Sequence, residues 1–445
     1  MVSQKKSILH DSGQVSVSIF DLAIQFLLIF LPFSSFVSVF LTYKIGIPGG
    51  NFIKEIILAI AGISLVYTYT QSYLTSKICR FKPTKIDYLI LFYIVLMIGI
   101  SIFTTGFRGI IYGGRYDFSF LIIFLIAYHG FPLLQKPISY YLRLFLIASG
   151  IMLFFSGLLK WPLTEDLLLY FGYSGNPSAW DFGGAPPIFH GIDGANVRRF
   201  QWILDGPNTM GAFLIIFSGI FAYFTRFRKE WYFFIAIILI GLFGMVFYTY
   251  SRSAMIGIVF AYMIVLVMSL WSLWHLYRMQ LISVFIILSL FIGSIGILYY
   301  DRAIAIVGRS GSTKWHSERM IIGMKRTLEY PFGQWLGSAG PAYRHVMNLT
   351  ESPHNDIIES DTYYIPESWY IQQFIEWWFV AGILFLGIIV SLFISLLLIH
   401  PLLGSLFAWV ATMNLFLHTF ESSIVSLSLF LLVWILLANR KNAKR

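Results

Sequence analysis

The chain has 445 residues, of which 58% are hydrophobic and 12% are charged, about half of the ~25% charged residues in an ordinary soluble domain. This composition excludes a soluble globular protein and predicts a polytopic membrane protein. The formal net charge of +10 is divided among short connections and forms no continuous basic patch, so we expect no nucleic-acid partner.

Apolar segments of about 17 to 25 residues, the length that crosses ~30 Å of hydrocarbon, recur along the chain. They predict an all-α, polytopic transmembrane helical bundle of about twelve spans within one transmembrane domain, residues 1–445. The first span starts too late after Lys5 and Lys6, and is too long, to be a cleaved signal peptide. The predicted spans are residues 18–42, 52–71, 87–105, 117–134, 139–158, 208–225, 230–250, 253–272, 279–300, 372–397, 401–418 and 421–438.

Basic residues concentrate in every second connection. With a cytoplasmic N-terminus, the basic residues of the inner connections and the C-terminal tail, together with Lys5 and Lys6, form a consistent positive-inside pattern, which predicts that both termini are cytoplasmic. These residues are Lys77, Arg80, Lys82, Lys85, Lys136, Arg226, Arg228, Lys229, Arg278, Arg440, Lys441, Lys444 and Arg445.

Two long connections fall on the outer side, at residues 159–207 and 301–366. Loops of this length are usually functional or disordered. The second has helical spacing from Trp315 to Leu328, and residues from Tyr363 to Trp378 continue into the tenth span. We therefore expect a partly helical outer loop domain between spans nine and ten that caps the bundle.

Arg252 lies at the outer mouth between two apolar spans, in the segment YTYSRSAMIG. A guanidinium there is costly unless it is paired, reaches water or holds an anion. It is either a snorkelling interfacial arginine or a phosphate site, since its planar fork binds phosphate oxygens in pairs. Arg319, in the outer loop, is a candidate to share one dianion with Arg252; the alternative is a surface ion pair beside Glu318.

A further group of candidates precedes the tenth span. Pro366 suits a first helical turn, which puts Glu367 at a helix N-terminus near the membrane surface. Glu367 is then either a partner of the helix dipole or a general base whose pKa is raised by the neighbouring Trp369 and Tyr370. His354 is the competing candidate for the base.

Arg198 and Arg199 precede the sequence Asp-Gly-Pro-Asn, which ends at Asn208 and opens the sixth span. These residue types favour a turn followed by a helix start, and that alone explains the segment. The turn does not explain the two arginines.

The order of these motifs carries a resemblance. An Arg-Phe segment is followed by Gly-Pro-Asn at a span start, SRSA follows another span, a long outer loop contains Ser-Glu-Arg and Pro-Phe-Gly, and Pro-Glu-Ser-Trp-Tyr precedes a span. Over roughly residues 198–382 this order resembles the O-antigen ligase and O-antigen polymerase family of bacterial membrane glycosyltransferases. The flanking spans match only in hydropathy.

The resemblance implies an enzyme of the bacterial inner membrane that faces the periplasm or exterior. It implies transfer of a glycan from an undecaprenyl diphosphate-linked donor to a glycan, lipid or protein acceptor, with no metal or other cofactor. Ligase and polymerase share this donor site and are not distinguished. A fixed arginine stabilises the departing diphosphate, and one base removes the proton of the acceptor hydroxyl, with inversion expected from a single displacement.

The resemblance also suggests roles for individual residues. Arg252 and Arg319 match the arginines associated with the lipid diphosphate, and Arg199 and Arg115 are assigned to the same group. Glu367 falls at the position of the base, where many members have a His-Asn pair; here His354 and Asn355 lie upstream, so Glu367 and His354 both remain candidates. The substrate-binding candidates are Asn208, Trp369 and Tyr370.

The alternative function is a transporter or flippase of lipid-linked oligosaccharides. Such proteins place charges near the bilayer midplane and contain two related halves. In this sequence the spans are nearly free of central charges, and charged residues gather at one face, which favours the enzyme.

Overall fold

The computed structural model describes residues 2–47, 49–76, 83–160, 165–176, 184–192, 195–225, 238, 241–242, 244–258, 310–346, 366–399 and 401–443. Within these ranges the chain is mostly helical, as predicted. The helices are α1 (Val2–Phe30), α2 (Ser34–Val39), α3 (Ile53–Ser76), α4 (Lys85–Thr104), α5 (Gly106–Arg108), α6 (Gly114–Asp117), α7 (Ser119–Gly130), α8 (Ile138–Lys160), α9 (Pro207–Thr225), α10 (Ser310–Glu329), α11 (Gly340–Val346), α12 (Trp369–Leu397), α13 (Pro401–Met413) and α14 (Ser423–Ala443).

Six helical stretches among the described residues are long and apolar enough to cross a membrane: Val15–Ile45, Gly50–Thr75, Lys85–Thr104, Ile138–Ser156, Pro207–Thr225 and Phe379–Leu397. They coincide with predicted spans one, two, three, five, six and ten. Shorter apolar helices, Pro401–Met413 and Ser423–Leu437, lie at the last two. The predicted spans 230–250, 253–272 and 279–300 lie mostly outside the described residues.

The fourth predicted span is bent. Gly106–Asp117 and Ser119–Leu133 together are apolar enough for a seventh span, but they meet at 67°. The first half contains a π-helical turn, Gly109–Gly113, and Gly106 has a φ of +62°, which favours glycine. Because of this bend, the predicted straight span, residues 117–134, matches only the second helical segment of the pair, Ser119–Leu133.

The helices pack around a continuous apolar core. Helix α1 contacts α3 and α8, α14 contacts α7 and α9, α12 contacts α4 and α13, and α10 lies against α12. At one end of the bundle the Tyr69 hydroxyl donates to the carbonyl of His129 at 2.6 Å, and His129 Nε2 lies 3.3 Å from Asp87 Oδ2. This end includes the connections that follow α3 and α7.

Helix starts are set by local sequence. Thr84 caps α4, where its side chain and the Asp87 side chain bond reciprocally to each other's backbone NH groups. Helix α10 confirms the helical spacing predicted from Trp315 to Leu328, and it ends two residues before Pro331. Helix α12 begins at Trp369, after an extended Ser368. The prediction that Pro366 lies in the first helical turn is therefore wrong, and Glu367 precedes the helix.

The first outer connection contains structure that was not predicted. A 3-10 helix, Glu165–Phe171, is followed by a two-stranded antiparallel sheet of β1 (His190–Ile192) and β2 (Ala195–Arg199). In its register Arg199 lies opposite His190, and Arg198 lies opposite Gly191. The hairpin thereby fixes both arginines close to the start of α9.

Candidate functional site

A cavity of about 350 Å³ opens at the end of the bundle opposite the Asp87–His129 contact. Its wall comes from the segment after α1, the start of α3, the bend between α6 and α7, the start of α9 and the connection between α13 and α14. The lining is rich in hydroxyl groups, contributed by Ser34, Ser35, Ser38, Thr42, Thr209, Ser422 and Ser423. Hydroxyl groups both donate and accept hydrogen bonds, which suits a ligand that does the same.

Two fixed cations line one side of this cavity. Arg115 Nε lies 2.7 Å from Glu55 Oε1, and Arg115 Nη2 donates to the carbonyl of Asn51 at 2.9 Å. The guanidinium also lies 4.6 Å from the centre of the Phe52 ring. Lys54 Nζ is 3.6 Å from the same Glu55 oxygen. One carboxylate, that of Glu55, contacts both cations, so Lys54 and Arg115 lie side by side. These three side chains together keep a positive net charge.

The other side of the cavity carries Asp205, His418 and Glu421. The pKa of the Asp205 carboxyl is raised, because the effect of burial is larger than the opposing effect of the hydrogen bond with Thr209. His418 Nδ1 lies 3.4 Å from Glu421 Oε1. Burial opposes protonation of His418, but the neighbouring Glu421 carboxylate outweighs it and raises the pKa of the imidazole. The cavity thus contains acceptors and donors of both charge signs.

Glu367 lies beside the cavity, in contact with His316 and Arg319. Its Oε2 is 2.9 Å from His316 Nδ1, and its Oε1 is 3.8 Å from Arg319 Nη1. His418, which lines the cavity, donates through Nε2 to the carbonyl of Pro366, the preceding residue. This contact joins the carboxylate cluster to the cavity wall.

The charge state of Glu367 differs from the prediction. Burial disfavours the ionised form, but the contact with His316 and the charges of His316, His418 and Arg319 outweigh it, so the pKa of the Glu367 carboxyl is lowered. The predicted rise in pKa is therefore wrong. The carboxyl is ionised at neutral pH and can accept a proton, although its lowered pKa makes it a weaker base.

Arg199 and Asn208, two predicted site residues, are in direct contact. Arg199 Nη2 donates to Asn208 Oδ1 at 3.0 Å, and Nε donates to the carbonyl of Thr249 at 3.0 Å. Nη2 is also 3.5 Å from the carbonyl of Tyr250, a residue in the left-handed region with a φ of 50°. Arg199 thus ties the start of α9 to a strained turn, which is a structural explanation for this arginine.

Arg252 follows this turn, half-buried at the start of a helical stretch, residues 252–258. The stretch packs closely on α9: a Cβ on Gly211 would lie 2.5 Å from Ala254 Cβ. Arg252 and Arg319 are both absent from the cavity lining, and Arg319 contacts Glu367. The expectation that Arg252 and Arg319 hold one dianion together has no support from these positions.

Trp369 and Tyr370 occupy packing positions. Trp369 is fully buried, with its ring centroid 4.9 Å from that of Phe385 and 5.1 Å from that of Phe420. The Tyr370 hydroxyl donates to the carbonyl of Ala411 at 2.8 Å. Trp369 thus belongs to the aromatic core, and its burial gives no support to the expected substrate contact. His354, the competing base candidate, lies outside the described residues.

Several ionisable side chains are buried inside the helical bundle. Among the described residues Asp21, Asp87, Asp117 and Glu376 are all buried within helices. Each is bonded to a polar neighbour; for example, Gln25 Nε2 donates to Asp21 Oδ2 at 2.6 Å.

Sequence reasoning assigned no role to His316, His418 or Lys54. His316 directly precedes the Ser-Glu-Arg segment. Its contact with Glu367 joins two segments that are far apart in the chain, and no local pattern shows such a contact. Comparison with protein-family models, with curated proteins and with solved structures found no match for this chain.

Proposed function

We propose that this chain is a membrane glycosyltransferase of the O-antigen ligase or polymerase type. It moves a glycan from an undecaprenyl diphosphate carrier to an acceptor sugar at the outer face of the bacterial inner membrane. The observation that carries the proposal is a hydroxyl-rich cavity with Lys54 and Arg115 in its wall and the ionised Glu367 at its edge. The motif order of residues 198–382 adds the resemblance to this family.

The proposal includes about twelve spans, cytoplasmic termini and an outward cavity. It is supported by the path of the helices, since α3 runs from the cavity end at Asn51 toward the connection that contains Lys77, Arg80 and Lys82. The connection after α7, with Lys136, belongs to the same opposite end. Basic connections favour the cytoplasm, so the cavity end faces outward. Helix α10 then belongs to the outer loop domain, where it supplies the contacts to Glu367.

In this proposal Arg115 and Lys54 bind the diphosphate of the donor. Guanidinium and ammonium groups stabilise the negative charge that grows as a diphosphate leaves. The Glu55 carboxylate holds both groups in place, so little reorganisation is needed when the charge appears. The hydroxyl groups of the cavity bind the sugar next to the diphosphate, since they match its own hydroxyl groups.

Glu367 is the base of the proposed reaction. Its carboxylate takes the proton of the acceptor hydroxyl as that oxygen forms a bond to the anomeric carbon, and the bond from this carbon to the diphosphate oxygen breaks. The electron pair leaves with the diphosphate, which remains on its lipid. A single displacement of this kind inverts the anomeric centre. His316 and Arg319 hold the carboxylate in its ionised form.

A transporter or flippase of the same lipid-linked oligosaccharides is the second candidate. The buried Asp117 and Glu376 support it, because ionisable groups inside membrane helices are common in ion-coupled transporters. The two candidates differ in their product. A transferase makes a new glycosidic bond, whereas a transporter moves an unchanged lipid across the bilayer.

The test is transfer activity of purified protein in liposomes, with undecaprenyl diphosphate-linked oligosaccharide as donor and mass spectrometry of the products. Wild type is expected to form an extended or transferred glycan. E367Q keeps the shape of the side chain but removes the base, so turnover should fall by about 10² to 10⁴. The matched control is E318Q, because Glu318 is 52% exposed on the same helix as His316.

E318Q should react at the wild-type rate. Equal turnover of E367Q and wild type would remove Glu367 as the base. Movement of the lipid across the liposome membrane without any covalent product would instead establish the transporter.

A further inference from the structure

Two carboxyl groups are buried together beneath the bend of the helix pair α6–α7. Asp117 is the last residue of α6 and is fully buried, and Glu376 on α12 is 2% exposed. The two carboxyl groups lie within hydrogen-bonding range of each other. Neither lines the cavity described above. The pair therefore lies behind the cavity wall and outside its lining.

Uncharged neighbours satisfy one oxygen of each carboxyl group. Gln373 Nε2 donates to Asp117 Oδ1 at 2.7 Å, and the Tyr93 hydroxyl donates to Gln373 Oε1 at 2.9 Å. The backbone NH of Ala339 donates to Glu376 Oε1 at 3.2 Å. Residues from α4, α12 and the segment before α11 thus converge on the pair.

Three buried oxygens at this place have no donor among the described residues: Asp117 Oδ2, Glu376 Oε2 and Gln372 Oε1. Gln372 is fully buried, and its amide nitrogen lies 3.5 Å from Asp117 Oδ1, so its amide group lies against the pair. Gly340 confines that group further, because a Cβ there would lie 2.2 Å from Gln372 Oε1. Unsatisfied acceptors at such depth are costly, and two of them on adjacent carboxyl groups, with a third on the amide that contacts Asp117, point to a cation as their common ligand.

The charged groups around the pair do not supply this positive charge. Tyr93 and Glu421 lie close enough to interact electrostatically with both carboxyl groups, and neither side chain is a cation. His418 interacts electrostatically with Asp117, but its Nδ1 is already 3.4 Å from Glu421. Two adjacent carboxylates in such surroundings cannot both be ionised without a compensating cation.

We propose that Asp117, Glu376 and Gln372 form a binding site for one monovalent cation, either a proton shared by the carboxyl groups or an alkali-metal ion held by their free oxygens. Carboxylate and amide oxygens are suitable ligands for hard cations, and a proton between two carboxyl groups satisfies two of the three acceptors. The site is independent of the glycan proposal and exists in a transferase and in a transporter alike.

The experiment uses the full chain in detergent. Thermal unfolding is followed by tryptophan fluorescence in NaCl, KCl and choline chloride at equal ionic strength, and infrared spectroscopy detects protonated carboxyl groups at neutral pH. The variants are E376Q and D117N, which mimic the protonated side chains, and E318Q is the surface control. The amide that E376Q introduces can donate a hydrogen bond to Asp117 without any ion, so this variant should fold. Its unfolding temperature and infrared bands can therefore be compared with those of wild type.

An alkali-metal site predicts that sodium or potassium raises the unfolding temperature of wild type and E318Q relative to choline, and that E376Q loses this response. A shared proton predicts equal melting in the three salts and a protonated-carboxyl band that wild type and E318Q show and that E376Q and D117N lose. Both results support the site. Equal melting in all salts together with identical carboxyl bands in wild type, E376Q and D117N would overturn it.

Discussion

Arg115 is the residue whose substitution best separates a diphosphate site from a merely polar cavity. Its guanidinium is 13% exposed and is fixed by the Glu55 carboxylate, the Asn51 carbonyl and the Phe52 ring. An arginine held on three sides has little freedom left to lose when an anion binds. Arg115→Gln removes the charge and retains a polar side chain of intermediate length.

The expected loss follows from the contacts that the guanidinium can make. A hydrogen bond to a charged group contributes about 1.5 to 3 kcal/mol, and each 1.4 kcal/mol is tenfold in affinity. Arg115→Gln should therefore weaken diphosphate binding by about 10- to 150-fold. The fold should survive, because Glu55 is 25% exposed and keeps Lys54 as a second partner at 3.6 Å.

The assay is a titration of undecaprenyl diphosphate into the protein in lipid nanodiscs. Arg108→Gln is the matched control, since Arg108 lies in the same helical segment, is exposed and is absent from the cavity wall. It should bind like wild type. Wild-type binding by Arg115→Gln, or an equal loss of binding in Arg108→Gln, would show that Arg115 does not hold the diphosphate.

Three further predictions concern stability, measured as thermal unfolding in detergent. The pKa of His418 is raised above 6.5 in the folded protein, so its contribution to stability is present below pH 6.5 and is lost as the pH rises through the folded pKa. His418→Gln should flatten this part of the profile of stability against pH. An unchanged slope would contradict a stabilising role for protonated His418. Trp369→Ala removes a fully buried side chain and should cost about 3 to 5 kcal/mol, whereas wild-type stability would show that the core is not packed as described. Gly219→Ala would place a Cβ 2.0 Å from Leu406 Cδ1 and should lower the free energy of unfolding by about 1 to 3 kcal/mol. A Cβ on Gly99 would have no atom within 4 Å, so Gly99→Ala should be neutral or stabilising by up to ~1 kcal/mol. Equal effects of the two substitutions would contradict the close helix packing at Gly219.

The helices were largely predictable because hydrophobicity and length are local properties of a sequence. Six predicted spans coincide with long apolar helices, and the helix around Arg319 follows from its spacing and a terminating proline. The bend at residue 118 and the hairpin before α9 were missed. For the hairpin a signal existed, since Asp193-Gly194 is a typical two-residue hairpin turn.

The candidate site was predictable only in part, because its geometry depends on contacts between distant segments. Four predicted site residues form two contacts that were not predicted, Glu367 with Arg319 and Arg199 with Asn208. However, the shared position of Lys54 beside Arg115 depends on how α3 packs near the bent helix pair. The lowered pKa of Glu367 likewise depends on histidines that are far away in the sequence.

The most direct test is the position of the diphosphate in a cryo-electron microscopy structure of the protein with a bound undecaprenyl diphosphate analogue in nanodiscs. The account predicts density for the diphosphate within hydrogen-bonding distance of Arg115 and Lys54, with the glycan end directed toward Glu367. Density at the opposite end of the bundle, near Asp87 and His129, or density held by Arg252 outside the cavity, would contradict it.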